Sequence, residues 1–389
     1  HFKRLLGNAW GVWEIITGLK AKANFSYDQS TSKRDVYLPT TFLFGQRTGG
    51  NASIGETNAT SKLLEYTLNY TKNIGANQRI NAIAGYSYQL NNNDGFNAQN
   101  NSFVSDAFLY NNLGAGASPK PTVGSFKTSQ TWASYFARAI YTLDNKYTLT
   151  ASLRRDGSSI FAQNKKYGYF PSVALGWMVS DEDFFKNLLP VVSSLKLRAS
   201  YGTTGNSNIG QNALALYAAG GSYNYVFNNS IATGVTMSQV NNPNLTWETN
   251  KEFNIGTDFQ ILNNRISGSF DYFQKYVTNL LTFIPLTTDF PVSYYAGNAG
   301  KTGTHGWEIG IHSRNIVSVD NGFSWSTDVT LSHYYSYWIR RSESAMRSLP
   351  TYVNPKGQFD NQGIIAPIGT TFTSQAIYGY LNDGIYRGN

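Results

Sequence analysis

The chain contains no cysteine and few histidines. Without a thiol, neither a disulfide framework nor a thiolate metal site can form. The four histidines, His1, His305, His312 and His333, are spaced too widely to indicate the clustered ligands of a metal centre. None of them is accompanied by a G-x-S-x-G sequence, so Ser-His-Asp hydrolysis is not indicated either. The sequence therefore assigns no catalytic residue, no metal ligand and no cofactor.

Long apolar runs are also missing. The longest, such as residues 280–284, fall far short of the roughly 18 residues that a membrane-spanning helix needs, which excludes a helical membrane protein. The mean hydropathy is −0.34. A membrane β-barrel is compatible with that value, because every second residue of a barrel strand faces a polar lumen.

Charged residues are scarce, and basic ones are in excess. The net charge is +8, yet the basic residues are scattered rather than gathered into a stripe, so no nucleic-acid surface is predicted. We expect these scattered basic residues to line a barrel lumen or to contact anionic lipid. The chain begins at His1 without a signal peptide and stops at Asn389 in an irregular stretch, so we expect a fragment of a larger protein.

The sequence is rich in aromatic residues within an alternating pattern. Aromatics make up 15% of the chain, as is typical of β proteins. Polar and apolar residues alternate over roughly nine to eleven residues, the span of a tilted transmembrane strand. Six strand pairs are predicted, over residues 10–16 with 19–27, 64–70 with 80–88, 133–141 with 147–153, 173–179 with 195–201, 253–261 with 266–272, and 307–313 with 323–331.

The alternation gives each predicted strand an apolar and a polar face. Leu68 is predicted to face lipid and its neighbour Thr67 the lumen. The opposite assignment is disfavoured for residues 19–27, because Lys20 or Lys22 at the bilayer midplane would cost about 2–4 kcal/mol. Tyrosines near strand ends suit interfacial girdles, namely Tyr27, Tyr70, Tyr88, Tyr141, Tyr147 and Tyr201.

Short and long connections alternate along the chain. Short turns are predicted near residues 17, 75, 145, 263 and 318 and a longer one over 181–194, with long polar segments over 28–60, 91–128, 203–244 and 334–375. Outer-membrane barrels combine short periplasmic turns with long extracellular loops in this way. A soluble β-sandwich or β-helix is the alternative fold, although long loops in every second position are unusual for a sandwich.

Two blocks of motifs are more specific than the alternation. The first comprises Arg-Arg-Asp-Gly-Ser-Ser (154–159), Tyr-Gly-Tyr-Phe-Pro-Ser (167–172), Gly-Trp (176–177), Leu-Lys-Leu-Arg-Ala-Ser-Tyr-Gly (195–202) and Gly-Asn (205–206). The second comprises Asn-Pro-Asn-Leu-Thr-Trp-Glu (242–248), Phe-Asn-Ile-Gly (253–256), Asn-Arg-Ile-Ser-Gly (264–268) and Asn-Ala-Gly-Lys (298–301). In order and spacing, these blocks resemble the SusC/RagA family of TonB-linked outer-membrane proteins. One departure is Thr-His-Gly-Trp-Glu (304–308), where the family more often has Asn-Lys-Gly-Val-Glu.

The resemblance implies a fold and a partner set. The fold is all-β, an antiparallel transmembrane β-barrel of which the chain supplies about twelve of 22 strands, with the whole of 1–389 belonging to the barrel. The plug domain and the TonB-contact segment are expected in a missing N-terminal part. The implied partners are a SusD-like surface lipoprotein, TonB, outer-membrane lipid and an oligosaccharide or peptide substrate, without nucleic acid.

Two sets of side chains are candidates for the functional site. Lumen-facing charges are predicted at Arg154, Lys196, Arg198, Glu252, Asp258 and Asp271. Their mixed sign suggests a wall network, plug docking or substrate contact, and no two carboxylates are placed as a glycosidase pair. Loop aromatics at Tyr217, Tyr223, Tyr225 and Phe227 can contact a sugar or a lid protein, or pack within their own loop. Asp156 and Gly157 are expected to form a turn.

The sequence therefore predicts an outer-membrane nutrient importer of Gram-negative type, and not an enzyme. It is expected to take up oligosaccharides or peptides with a SusD-like lid and TonB energy. The alternative is a structural or adhesive surface β protein without transport activity.

Overall fold

The computed structural model describes residues 1–189, 191–220, 223–286, 289–317 and 322–340. Its strands are β1 (Phe2–Ile16), β2 (Leu19–Leu38), β3 (Asn51–Ile74), β4 (Gln78–Asn101), β5 (Thr122–Leu143), β6 (Tyr147–Ser158), β7 (Tyr167–Met178), β8 (Val192–Asn206), β9 (Leu216–Ala219), β10 (Tyr225–Phe227), β11 (Ser230–Ala232), β12 (Val235–Gln239), β13 (Glu248–Ile261), β14 (Ile266–Thr278), β15 (Leu281–Pro285), β16 (Tyr294–Asn298), β17 (Lys301–Ile316) and β18 (Trp325–Arg340). Two short helices are α1 (Leu43–Thr48) and α2 (Asp183–Leu188).

Twelve strands form one antiparallel sheet in the order β1-β2-β3-β4-β5-β6-β7-β8-β13-β14-β17-β18. The six predicted strand pairs are all in it, so the all-β fold and the strand count are confirmed. Three small two-stranded sheets, β9 with β12, β10 with β11 and β15 with β16, were not predicted. No helix in the described ranges is long and apolar enough to cross a membrane.

The chain divides into two compact units. The first comprises His1–Tyr70, Ile83–Phe136 and Asp156–Ser159, and the second comprises Thr71–Ala82, Ala137–Arg155 and the described residues from 160 onward. In the first unit, the register places Leu68 beside Ala21 and Thr67 beside Lys22, on opposite faces as predicted. Leu68 is 49% exposed and Thr67 only 8%.

Strands are longer than the sequence pattern indicated. The predicted polar segment 28–60 is mostly strand, because β2 continues to Leu38 and β3 begins at Asn51, with α1 between them. Likewise, β4 continues to Asn101 and β5 begins at Thr122. Polar residues can extend a paired strand because its backbone groups are already satisfied, whereas alternation in hydropathy arises only where one face meets an apolar surrounding. The predicted turn near 318 and the segment beyond 340 lie outside the described residues.

In the second unit, the register of β8, β13, β14, β17 and β18 defines two faces. The polar face contains the row Arg198, Gly256, Asp271, Glu308 and Ser332, and the apolar face contains the row Ala199, Ile255, Tyr272, Trp307 and His333. Ile255 is 48% exposed and Leu331, in a neighbouring row of the apolar face, is 52% exposed. The apolar side chains of this sheet therefore do not form a buried core.

The buried core of the second unit lies instead among the connections. It comprises Ile160, Phe161, Phe170, Ile209, Leu245, Trp247 and Ala296, which we call the loop cluster. These residues come from the connections after β6, β8 and β12 and from β7 and β16.

Candidate functional site

A charge cluster on the polar face joins three neighbouring strands. Arg198 on β8 donates from Nε and Nη2 to both carboxylate oxygens of Asp258 on β13, each at 2.9 Å. The same guanidinium donates from Nη1 and Nη2 to both oxygens of Asp271 on β14, each at 3.0 Å. Bidentate Arg–carboxylate bonds are strong and directional. Because all three side chains are partly exposed, the cluster fixes geometry more than it adds stability.

The backbone between these strands has a glycine where the guanidinium crosses. Gly256 on β13 is in register with Arg198 on one side and with Asp271 on the other. A Cβ atom at this position would contact the Asp271 carboxylate and lie 3.0 Å from Arg198 Nη2. Arg198 can thus reach the second neighbouring strand because the intervening residue has no side chain.

The other predicted charges share this face. Lys196 is in register with Asp258, and Glu252 with Lys275. Arg154 alternates with Ser152, whose hydroxyl bonds to Ser172 of the polar face at 2.6 Å. The structure therefore places the six predicted charges on one face, and brings Arg198, Asp258 and Asp271 into contact.

The loop cluster is built from the motif residues. Leu245 and Trp247 of the Asn-Pro-Asn-Leu-Thr-Trp-Glu sequence are buried. The Trp247 ring contacts Phe161 at 5.3 Å and Phe170 at 5.5 Å between centroids, and its Nε1 donates to the Lys166 carbonyl at 2.9 Å. Sequence reasoning missed this core, although the motif block was the signal for it.

Polar side chains attach the loop cluster to the sheet. Asn298 on β16 accepts from the Thr246 backbone N–H and donates to the Thr246 carbonyl, both at 2.8 Å. Glu248 accepts from the Leu281 N–H at 2.9 Å and from Asn206 at 3.0 Å. The connections after β12 and β14 are therefore held by bonds from side chains to backbone groups, and Glu248 also joins β13 to β8 through the Asn206 side chain.

The predicted loop aromatics lie on two small hairpins. Tyr217 is on β9, which pairs with β12, and the Tyr217 side chain is 65% exposed. Tyr225 and Phe227 are two residues apart on β10, which pairs with β11, and Phe227 is 71% exposed. Tyr223 precedes β10 and is also exposed. The turn of the second hairpin, Asn228-Asn229, has positive φ at both residues, as a type I′ turn requires.

The predicted turn at Asp156 and Gly157 is wrong. Strand β6 continues through both residues to Ser158, and the chain turns only afterwards. Ser159 Oγ accepts from the Thr131 N–H at 2.9 Å, and the Ser159 N–H donates to the Thr131 carbonyl at 3.0 Å. This hydroxyl thus satisfies a backbone group, as the sequence suggested, but it does so at the strand end.

At the short-turn end of the second unit, Glu182 accepts three hydrogen bonds. Its donors are the Tyr147 hydroxyl, Trp177 Nε1 at 3.1 Å and Lys146 Nζ at 3.2 Å. The bonds from Tyr147 and then Trp177 are the main causes that lower the pKa of Glu182 from 4.5 to about 2. Tyr147 and Trp177 also stack, with centroids 6.4 Å apart. Both aromatics belong to the apolar face, so Glu182 fixes part of its rim.

The described residues contain no group of three or more histidine or acidic side chains suited to a metal ion. His312 and Asp328 form a single contact on the polar face, 2.7 Å from Nδ1 to Oδ1.

Strands with one exposed apolar face and one charged face, joined alternately by short turns and long connections, define the class of outer-membrane β-barrel proteins. The chain belongs to the TonB dependent receptor-like β-barrel family, which matches residues 4–381. It is thus an outer-membrane protein of a family of transporters, and the SusC/RagA resemblance is confirmed.

Similar proteins support this assignment. TonB-dependent receptor P3 of Formosa agariphila is 35% identical over 389 residues, 98% of this chain and 37% of that protein. TonB-dependent receptor SusC of Bacteroides thetaiotaomicron is 36% identical over 214 residues, 54% of this chain and 21% of SusC. A structure of the RagAB peptide transporter shares the fold, with a TM-score of 0.77 and 24% identity over 91% of this chain and 38% of that one. The chain thus spans little more than a third of the length of P3.

Proposed function

We propose that the complete protein to which this chain belongs is an active importer of oligosaccharides or peptides across the outer membrane. The observation that carries the proposal is the combination, on the same strands, of an exposed apolar face with a polar face of mixed charge. The apolar face suits lipid, and the polar face suits the lumen of a transport barrel. Arg154, Lys196, Arg198, Glu252, Asp258 and Asp271 then line the lumen wall.

The remaining parts of the importer come from the family resemblance. A plug domain and a TonB-contact segment precede this barrel segment in the complete protein, and a SusD-like lipoprotein covers it from outside. A peptide as substrate is supported by the fold shared with the RagAB peptide transporter, and an oligosaccharide by the sequence likeness to the SusC/RagA family. Tyr217, Tyr223, Tyr225 and Phe227 are exposed on loop hairpins where substrate or lid can reach them.

The decisive experiment compares uptake in three strains of the source bacterium: wild type, a strain lacking the complete gene, and that strain complemented with it. Fluorescent oligosaccharide and peptide libraries are supplied separately. We expect accumulation to be lost in the deletion strain, restored on complementation, and abolished by a protonophore, because import through a plugged barrel requires energy.

A control substrate and the result that would contradict the proposal both follow from the alternative function, a structural or adhesive surface protein. Uptake of a small monosaccharide, which crosses through general porins, should be equal in all three strains. Unchanged uptake of every library, together with impaired surface attachment of the deletion strain, would support a structural or adhesive protein instead.

A further inference from the structure

On the apolar face of the second unit, basic residues follow the apolar ones at the strand ends that lead into the long connections. Beyond Phe253 on β13, the next residue of this face is Lys251, in register with Thr203 and Tyr276. One row further, Lys301 on β17 is in register with Thr278 and Arg340. Arg155 of β6 lies on the face opposite to Arg154, and its guanidinium contacts the ring of Tyr167 on β7. We call Arg155, Lys251, Lys301 and Arg340 the basic belt.

Within strands β8, β13, β14, β17 and β18, the acidic residues lie on the other face. The carboxylates of β8, β13, β14, β17 and β18 are Glu248, Glu252, Asp258, Asp271, Glu308 and Asp328, and the register places each of them in a polar-face row. Within these five strands the apolar face therefore carries cations and no carboxylate. Within these strands, this separation of sign gives the rim of the apolar face, at Lys251, Lys301 and Arg340, a positive potential.

Aromatic rings hold two of the cations at the rim. The guanidinium carbon of Arg155 lies 3.8 Å from the Tyr167 ring centroid, and Lys301 Nζ lies 5.5 Å from that of Tyr276. Tyr335 and Tyr337 stack alongside, with centroids 5.8 Å apart. Tyrosine at the level of the head groups is typical of a barrel girdle, so the belt directly follows the girdle.

The opposite rim of the same face has different chemistry. There Tyr147 and Trp177 donate to Glu182, and the same carboxylate pairs with Lys146, so the cation at that rim is neutralised within the protein. The two ends of the apolar face are thus not equivalent, and only the end with the long connections has the basic belt.

The spacing along the strand places the belt at the membrane surface. From Lys251 to Phe259 are eight residues, about 27 Å along β13 and about 20 Å in height at the usual tilt. That height approaches the apolar band of outer-membrane barrels, about 25 Å. Since short turns are periplasmic in such barrels, the belt lies at the outer leaflet.

We propose that the basic belt binds the phosphorylated head groups of lipopolysaccharide in the outer leaflet. The belt continues a lipid-facing surface, so head groups of the same membrane are the anions that it adjoins. On β13, β17 and β18 it offers them Lys251, Lys301 and Arg340, on a face that carries no carboxylate within the five strands. This inference rests on the outer-membrane location and on the strand orientation, and is independent of whether the protein imports a nutrient.

The test uses the full-length protein in nanodiscs of neutral phospholipid containing increasing amounts of purified lipopolysaccharide. Bound lipopolysaccharide per protein is measured by native mass spectrometry for the wild type, for Lys251→Gln/Lys301→Gln and for the control Lys275→Gln. Lys275 neighbours Tyr276 on β14 but belongs to the polar face, in register with Glu252. Heat-modifiable gel mobility verifies that each variant is folded.

We expect affinity for lipopolysaccharide to fall about fivefold per lysine removed, about thirtyfold for the pair, with Lys275→Gln unchanged. Millimolar inorganic phosphate should not displace the bound lipid. Equal binding by the double variant and the wild type would overturn the proposal, as would an equal loss in Lys275→Gln. Displacement by inorganic phosphate would indicate a site for free anions instead. Absence of binding by the wild type would also overturn the proposal, and an acidic partner protein would then be the expected ligand of the belt.

Discussion

Gly256 lies directly beneath the guanidinium of Arg198, and a Cβ atom there would come within 3.0 Å of Nη2. Gly256→Ala should therefore displace Arg198 from Asp271 and destabilise the folded barrel by about 1–3 kcal/mol, as overpacking does. Urea unfolding of the full-length protein measures the change. Gly310→Ala is the matched control, because its nearest neighbour would be Ser269 Oγ at an ordinary 3.5 Å. Equal stability of the two variants would show that the charge cluster readily rearranges.

The assignment of faces in the first unit is tested by arginine at adjacent positions. Leu68→Arg should destabilise the barrel by about 2–4 kcal/mol if the residue is near the midplane, because the charge would enter lipid. Asn69→Arg should cost less than about 1 kcal/mol: Asn69 lies on the polar face, where the only expected cost is mild repulsion from Lys20, its register partner (roughly 0.2–1 kcal/mol). Asn69 is preferable to Thr67 as the comparison, since Thr67 is buried and a larger side chain there would clash whichever face it occupies. Heat-modifiable mobility in outer-membrane fractions reports folding, and greater damage at Asn69 would reverse the faces.

Acid should selectively weaken the turn that contains Glu182. Its folded pKa is lowered from 4.5 to about 2, so the ionised form contributes stability that is present above pH 4.5 and is lost as pH falls toward 2. Glu182→Gln should accordingly melt below the wild type at pH 7, and the difference should disappear near pH 2. Asp183→Asn is the control, because the Asp183 side chain is 96% exposed and its ion pair with Lys186 contributes little. A constant difference between Glu182→Gln and the wild type at all pH values would refute the role of the charge.

The role of the exposed aromatic residues on β10 is tested by measuring substrate uptake and association with the lid lipoprotein. Tyr225→Ala/Phe227→Ala should weaken uptake or lid association about tenfold, since each exposed ring contributes about 0.5–1.5 kcal/mol of stacking. Val226→Ala is the control, because Val226 alternates to the other side of β10 beside Ile231. Uptake and lid co-purification at wild-type levels in the double variant would mean that these rings only pack within their loop.

The twelve strands of the large sheet could be predicted because lipid on one face imposes a period of two on the sequence. The turn at Asp144 and Asn145 was equally predictable, and both residues have the positive φ of a type I′ turn. Strand ends were not predictable. The mostly polar residues of β2 after Asp28 still pair as a strand, but their sequence lacks the alternation in hydropathy that marks the rest of the strand.

The site was predictable only in part. Alternation placed Arg198, Asp258 and Asp271 on one face, whereas their contact depends on the register between β8, β13 and β14, which periodicity does not specify. The loop cluster joins Phe161 to Trp247, residues far apart in the chain, and no local pattern encodes such a pairing. The motif blocks marked both regions without indicating how they pack.

The hairpin of β2 and β3 stays in register from Leu19 with Tyr70 to Leu38 with Asn51. Twenty residues of paired strand extend about 68 Å, or about 48 Å in height at a tilt of 45°, against an apolar band of about 25 Å. The hairpin therefore rises beyond the lipid as ordered backbone. A molecule that docks on this segment meets a surface whose conformational entropy was already lost on folding, so little of its binding free energy is spent on immobilising the chain.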